Sequence, residues 1–290
     1  MQTNQKFVRN CKIHRDCGVM SESLINFKSI DGLELEGTLR ITNNPTKFAV
    51  LFVHGITVDR EEDGFYTQFA QKMDNISATS FRFDFRGHGS SQGEYEEITL
   101  GKVIDDIDSA VNELQKHVPS NTPLIIIAAS FSGGLASNWA FENSNKVNSL
   151  ILLNPLLNYS EHMLFSKWFW VNEEISVKGN ELLETQGWLP HGEFRMGPKL
   201  IDELSHLKSF GKIKYPSIPI LVVHGNKDSI VSFEIAQKYS DSIENSTFEI
   251  IDGADHGFTS INDETLSHPD TIHFRYIVFE KVFKWINENA

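Results

Sequence analysis

Four short stretches of this chain are apolar at nearly every position: Phe48–His54 (FAVLFVH), Leu124–Ala128 (LIIIA), Val147–Leu153 and Ile220–His224 (ILVVH). A strand with one wet face alternates apolar and polar residues, whereas a strand covered on both faces need not. These runs therefore predict central strands of a parallel sheet. The segments between them carry a different period. Phe65–Met73 has apolar residues at helical spacing, and in Thr99–His117 the residues Val103, Ile107, Val111 and Leu114 share one helix face, with Thr99 placed to cap it. Thr271–Asn287 repeats the pattern with Tyr276, Phe279, Phe283 and Ile286. Ala78–Phe85 reads as a further strand and Thr247–Ile251 as an edge strand, while Ser23–Ser29 and Leu33–Arg40 read as a hairpin turning at Asp31-Gly32. Strands alternating with helices predict an α/β fold, a mostly parallel sheet with helices on both faces.

One stretch breaks this rhythm. The roughly 60 residues between Asn154-Pro155 and Pro216 contain Trp168, Phe169, Trp170, Trp188 and the interrupted segment GWLPHGEFRMGP. A structureless loop of that length is improbable inside a compact domain, so an inserted, mostly helical cap over residues 156–214 is predicted. Most of its aromatics are expected to form the cap's own core. Trp168, Trp170 and Trp188 are the candidates for a substrate-pocket wall.

Bulk properties narrow the class. The 290 residues carry a net charge of −13, which speaks against nucleic acid or an anionic membrane as partner. No apolar run approaches the ~20 residues of a membrane helix, and the basic N-terminal segment lacks the apolar stretch of a secretory signal. The two cysteines, Cys11 and Cys17, read as free thiols in a reducing compartment, so a cytoplasmic, single-domain protein spanning 1–290 is expected. No residue cluster has metal-ligand spacing and no glycine-rich phosphate loop is present, so neither metal nor cofactor is expected. The expected partner is a small molecule, and a homodimer is allowed.

The chemistry begins at the end of the most apolar run. Leu124–Ala129 leads into Ser130, Phe131, Ser132, Gly133 and Gly134, a strand, a set of small residues and then a helix. A serine placed on a sharp turn between strand and helix needs small neighbours two positions before and after, here Ala128 and Ser132. Ser132 is the rival nucleophile, but the apolar run ends at Ala128 or Ala129, which puts Ser130 on the turn and Ser132 in the first helical turn. A serine hydroxyl becomes a nucleophile when an imidazole accepts its proton and a carboxylate orients that imidazole. Asp228 follows the strand Ile220–His224, and His256 lies in a loop after the last strand. The order Ser130, Asp228, His256 is the one that strand-to-helix serine turns use. The oxyanion would take the Phe131 N–H and, from the loop after the first central strand, the Ile56 N–H; Gly55 lets that chain approach, and His54 orders it. Asp84 precedes the serine and is expected to hold its own loop with Arg86. Asp255 and Asp252 rank low as alternatives to Asp228, and His191 and His206 read as surface residues.

With HGI (54–56), FDFRGHGSS (83–91), the turn at Ser130, HGNKDSIV (224–231) and GADHGF (253–258), the sequence resembles the α/β-hydrolase superfamily from about residue 22 onward. Within it, these motifs look like the bacterial cinnamoyl/feruloyl esterases and related acyl hydrolases. The resemblance implies an acyl-serine intermediate and a cap that shapes the pocket. Those esterases usually have G-H-S-x-G-G at the turn, whereas this chain has A-A-S-F-S-G, which is similar to the acyl thioesterase of luminous bacteria. The expected activity is hydrolysis of a small to medium carboxylic ester. An acyl thioesterase or acyltransferase is the alternative, and a catalytically silent binding protein the remaining one.

Overall fold

The computed structural model describes residues 22–207 and 217–289. Cys11, Cys17, Pro216 and the end of the predicted cap lie outside the described residues. The chain opens with β1 (Glu22–Lys28) and β2 (Glu34–Arg40), paired antiparallel from Glu22 opposite Arg40 to Lys28 opposite Glu34. Next come β3 (Phe48–Val53), α1 (Phe65–Met73), β4 (Ala78–Asp84), α2 (Leu100–Gln115), β5 (Leu124–Ala129), α3 (Ser132–Glu142) and β6 (Ser149–Leu153). These agree with the sequence expectations to within about two residues. Thr99 caps α2 as its position suggests, its hydroxyl oxygen accepting the Lys102 N–H at 3.2 Å.

After β6 the chain enters the insertion. It contains a π-turn over Glu161–Phe165, a hairpin of β7 (Trp170–Val171) and β8 (Glu174–Ile175), then α4 (Val177–Gln186), a second hairpin of β9 (Leu189–His191) and β10 (Phe194–Met196), and α5 (Pro198–His206). Helical segments make up most of its regular structure, and the two small hairpins between them are an addition that the sequence did not announce. Their strands, two or three residues long, are too short to show a period. The main sheet resumes with β11 (Ile220–Gly225), α6 (Phe233–Asp241), β12 (Ser246–Ile251) and the closing α7 (Pro269–Asn289).

The main sheet has eight strands in the order β1-β2-β4-β3-β5-β6-β11-β12, and all pairings from β4 to β12 are parallel. Every residue of β4, β5, β6 and β11 is buried, which is why their sequences do not alternate. Alternate side chains feed two separate cores. Ile125 and Ile127 pack with Val50, Phe52, Phe69 and Phe279 on the α1/α7 side, while Ile126 and Ala128 pack with Leu51, Val53, Val103 and Ile107 on the α2/α3 side. The second core also takes in Phe169, Leu189, Phe194 and Leu204 of the insertion, so the insertion is anchored to the body through shared apolar surface. Loops leaving the C-terminal ends of the parallel strands converge at one edge, where a sheet of this kind places its ligands.

Candidate active site

Ser130 directly follows β5 and has φ +50°, the left-handed region that a β-carbon makes costly by ~1–3 kcal/mol. The turn is held by its backbone: Ser130 N–H donates to Leu153 O (2.9 Å), and Ser130 O accepts from Gly133 N–H (3.0 Å) and Leu156 N–H (2.8 Å). Close packing demands the small residues that follow. A β-carbon on Gly133 would lie 2.4 Å from Pro155 Cβ, and one on Gly134 would lie 2.7 Å from the Tyr159 ring. The Tyr159 hydroxyl, at the start of the insertion, donates to Phe131 O.

The three predicted residues meet. His256 Nε2 is 3.0 Å from Ser130 Oγ, and His256 Nδ1 is 2.8 Å from Asp228 Oδ2. The other oxygen, Asp228 Oδ1, accepts the Ile230 N–H at 2.9 Å and the Val231 N–H at 2.8 Å. Burial alone would raise this carboxyl, but contacts from His224 and His256 and the Val231 N–H hold it well below the usual carboxylate range. His224, which the sequence reading passed over, brings its Nε2 to 3.2 Å of Asp228 Oδ2 from the end of β11. Its only local signal was a histidine four residues before the aspartate at a strand end.

Ser132, the rival serine, lies apart from His256 in a closed environment. It is fully buried and its hydroxyl lies within hydrogen-bonding distance of two carbonyl oxygens, Val53 O at 2.8 Å and Ala129 O at 2.9 Å. Asp255 is also engaged locally, its Oδ1 accepting from Ser229 N–H, Ser229 Oγ–H and His256 N–H. Asp252 accepts from the Asn226 side chain at 2.8 Å. Asp84 holds its loop as expected but through a different partner. Its carboxylate pairs with Arg60 at 2.5 Å and accepts the Ser90 N–H, while Arg86 instead pairs with Asp106 and Asp31 at 2.7 Å each.

The loop after β3 lies beside Ser130. His54 is fully buried, and burial pushes its imidazole well below its ordinary range, so it is neutral. Phe85 N–H donates to its Nε2 at 3.2 Å, which leaves the proton on Nδ1 to donate to Gly55 O at 2.7 Å. Gly55 O and Ile56 N–H belong to one planar peptide, so His54 fixes the direction of the Ile56 N–H. Neither the Ile56 nor the Phe131 N–H has a protein acceptor among the described residues. Two free amides flanking a serine form a site for developing negative charge.

A cavity of about 220 Å³ opens at Ser130. Its walls are the 55–58 loop, Glu62, Phe65, Leu153, the 256–259 loop and Arg275. No residue of the insertion lines it, so the expectation that the cap's tryptophans wall this pocket is corrected. Trp168 is 52% exposed beneath Lys178, Trp170 lines a separate groove with Ile175 and Leu183, and Trp188 is partly buried beside Gln186. The insertion approaches the triad instead through His162, whose ring lies 5.1 Å from His191 and which feels the charges of His256 and Asp228. Burial lowers His162 to about 4 and His191 to about 3. His191 is therefore not the surface residue expected of it, whereas His206 is exposed. Among the described residues no group of three or more His, Cys, Asp or Glu is arranged to hold a metal ion.

Comparison with known proteins agrees with this architecture. The family model for serine aminopeptidases of the S33 type matches residues 44–183. The human mitochondrial palmitoyl-protein thioesterase ABHD10 is 26% identical over 177 residues, covering 61% of this chain and 56% of that protein. The chain thus matches little more than half the length of this relative. Among solved structures, Est1E of Butyrivibrio proteoclasticus with bound ferulic acid superposes with a TM-score of 0.68 at 19% identity, covering 89% of this chain and 99% of that one. Mouse α/β-hydrolase domain-containing protein 10 gives 0.67 at 20% identity, covering 92% and 99%. The chain thus has the α/β-hydrolase fold, and its residues 44–183 are similar to the serine aminopeptidase S33 family model.

Proposed function

We propose that this protein is a serine carboxylester hydrolase that works through an acyl-serine intermediate on small to medium esters. The observation that carries the reading is the continuous contact from Ser130 Oγ through His256 to Asp228, at 3.0 and 2.8 Å. In the proposed cycle Ser130 Oγ attacks the ester carbonyl and His256 Nε2 takes its proton. Asp228 keeps the other proton on His256 Nδ1 and stabilises the imidazolium. The Ile56 and Phe131 N–H groups bind the oxyanion, and its collapse expels the alcohol, which takes the proton from His256. A water then repeats the sequence on the acyl-enzyme, with His256 again as base. Every group needed comes from one chain. The small cavity at Ser130 supports a short acyl or alcohol group on that side.

A thioester is the second reading, favoured by the Ala-Ala-Ser-Phe-Ser turn and by the thioesterase name of the ABHD10 relatives. The oxyanion chemistry is the same, so the choice rests on the leaving group. The matched ABHD10 proteins are named as mitochondrial, and a cytoplasmic setting for this chain is part of the proposal only. Among the described residues no helix is long and apolar enough to cross a membrane.

A fluorophosphonate probe tests the enzyme reading. It is expected to label the wild type and Ser132→Ala but not Ser130→Ala. An unlabelled wild type would sink the hydrolase reading and leave the binding-protein alternative. Parallel rates on p-nitrophenyl butyrate, methyl ferulate and palmitoyl-CoA then separate the two substrates. A higher kcat/KM on palmitoyl-CoA would replace the ester assignment with the thioester one.

A further inference from the structure

Glu62 lies in the loop between β3 and α1, in a turn closed by Glu62 N–H to Asp59 O and by Phe65 N–H to Glu62 O, each 3.0 Å. Three non-glycine residues of this loop, Thr57, Glu62 and Asp63, have φ of +65°, +48° and +52°. Left-handed backbone at three such positions persists only where surrounding contacts hold it. Here the turn carries the Glu62 side chain back to the start of its own loop, where Oε2 accepts the Gly55 N–H at 2.8 Å. Glu62 forms no ion pair among the described residues, although Arg60 and Arg82 close by are each paired with carboxylates. It faces the cavity that contains Ser130.

Gly55 has no side chain to restrain its torsions. Its two flanking peptide planes are nevertheless both anchored. The plane before it is held through the Gly55 N–H on Glu62, and the plane after it through the Gly55 carbonyl on His54. The second plane carries the Ile56 N–H. A β-carbon built on Gly55 would lie 3.3 Å from Ser130 Cβ and 3.4 Å from Glu62 Oε1, so the glycine sits between the serine and the acid. Resting on the hydrolase reading above, we propose that Glu62 is a positioning residue for the oxyanion hole, its carboxyl oxygen holding Gly55 so that the Ile56 N–H points to the reacting carbonyl.

The electrostatics are consistent with that role. Burial pushes Glu62 up to about 7, against the Gly55 N–H that pulls it down. The charged and titratable groups facing it are His256, Asp63 and Arg275. A protonated Glu62 still accepts through Oε2, and it places no second negative charge beside the oxyanion.

The test compares Glu62→Gln, which retains an acceptor oxygen, with Glu62→Leu, which does not. On p-nitrophenyl butyrate, Glu62→Leu is expected to lose about ten- to a hundredfold in kcat with KM within about threefold, since the interaction is realised at the transition state. Glu62→Gln should retain kcat to within about fivefold. Thermal melting establishes that each variant is folded; should the leucine variant not fold, the glutamine variant and a second measurement still decide. That measurement is the Gly55 amide resonance followed from pH 5 to 9, which needs no turnover. It should titrate in the wild type and be flat in Glu62→Gln. Wild-type kcat in Glu62→Leu, equal losses in both variants, or a Gly55 amide that does not respond to Glu62 would each overturn the assignment. A wild type that hydrolyses no ester would instead refute the hydrolase reading, with the Gly55 titration still testing the contact.

Discussion

Replacing Asp228 with asparagine changes one atom, and the surrounding backbone dictates where that atom goes. Oδ1 accepts two N–H groups, from Ile230 and Val231, at 2.9 and 2.8 Å. An amide nitrogen there would face two donors with nothing to accept, at a cost of about 1–3 kcal/mol for each buried donor left unpaired. The new side chain must therefore place its oxygen on the Ile230/Val231 side and its NH₂ toward His256 Nδ1. Facing a donor, His256 shifts to the tautomer protonated on Nε2, and Nε2 can no longer take the Ser130 proton. The wrong tautomer lowers kcat by about 10⁴ where such a change has been made in a Ser-His-Asp triad. That corresponds to about 5.4 kcal/mol of transition-state stabilisation at 1.36 kcal/mol per decade. The assay is kcat on p-nitrophenyl butyrate for Asp228→Asn beside Asp255→Asn, with melting temperatures to show both are folded. Asp255→Asn should stay within about tenfold of wild type, because that carboxylate contacts Ser229 and the His256 N–H but neither the Ser130 hydroxyl nor the His256 ring. A folded Asp228→Asn enzyme retaining more than a tenth of wild-type kcat would refute the orienting role of Asp228.

Ser132→Ala should remain active but melt lower, since it removes a buried hydroxyl lying within hydrogen-bonding distance of the carbonyls of Val53 and Ala129; a loss of about 1 kcal/mol by chemical denaturation is expected. Gly133→Ala should cost more, about 1–3 kcal/mol from overpacking, because its new methyl group would lie 2.4 Å from Pro155 Cβ and 2.8 Å from Pro155 Cα; wild-type stability would show that the turn yields easily. Glu62 has a signature in stability as well as in rate. Its folded-state pKa is raised from 4.5 to about 7, so between these values the folded chain holds a proton that the unfolded chain has released, and stability falls as pH rises through that window. The melting-temperature difference between Glu62→Gln and wild type should therefore grow in favour of the variant from about pH 4.5 to 7 and level off above it. A difference independent of pH would show that Glu62 is not held protonated.

The parts of this molecule that could be read from its sequence are those whose burial is decided locally. β5 and β11 are covered on both faces, so nearly every position is apolar and the strands announce themselves. Ser130, Asp228 and His256 were legible because each lies in the turn or loop after a strand, in the order this geometry uses. The insertion was less legible, because strands of two or three residues and a π-turn leave no period to detect. The tryptophans were misplaced for a related reason: an aromatic residue signals burial or contact, but not which of two surfaces it faces. Arg60 as the partner of Asp84, and Glu62 on the Gly55 N–H, depend on a turn folding back through left-handed backbone. Nothing in the composition of VDREEDG marks which of its acids turns inward.

The chamber at Ser130 is bounded by segments that precede and follow the insertion, and residues 156–207 contribute nothing to its walls. An ester straddling the serine would thus have its two halves judged by different stretches of the gene. One half would meet the body of the fold, the other whatever the insertion presents around His162. Exchange of the insertion between relatives would then alter one half of the selectivity while the other was inherited intact, which makes the joints at Asn154 and Ile220 natural sites for recombination.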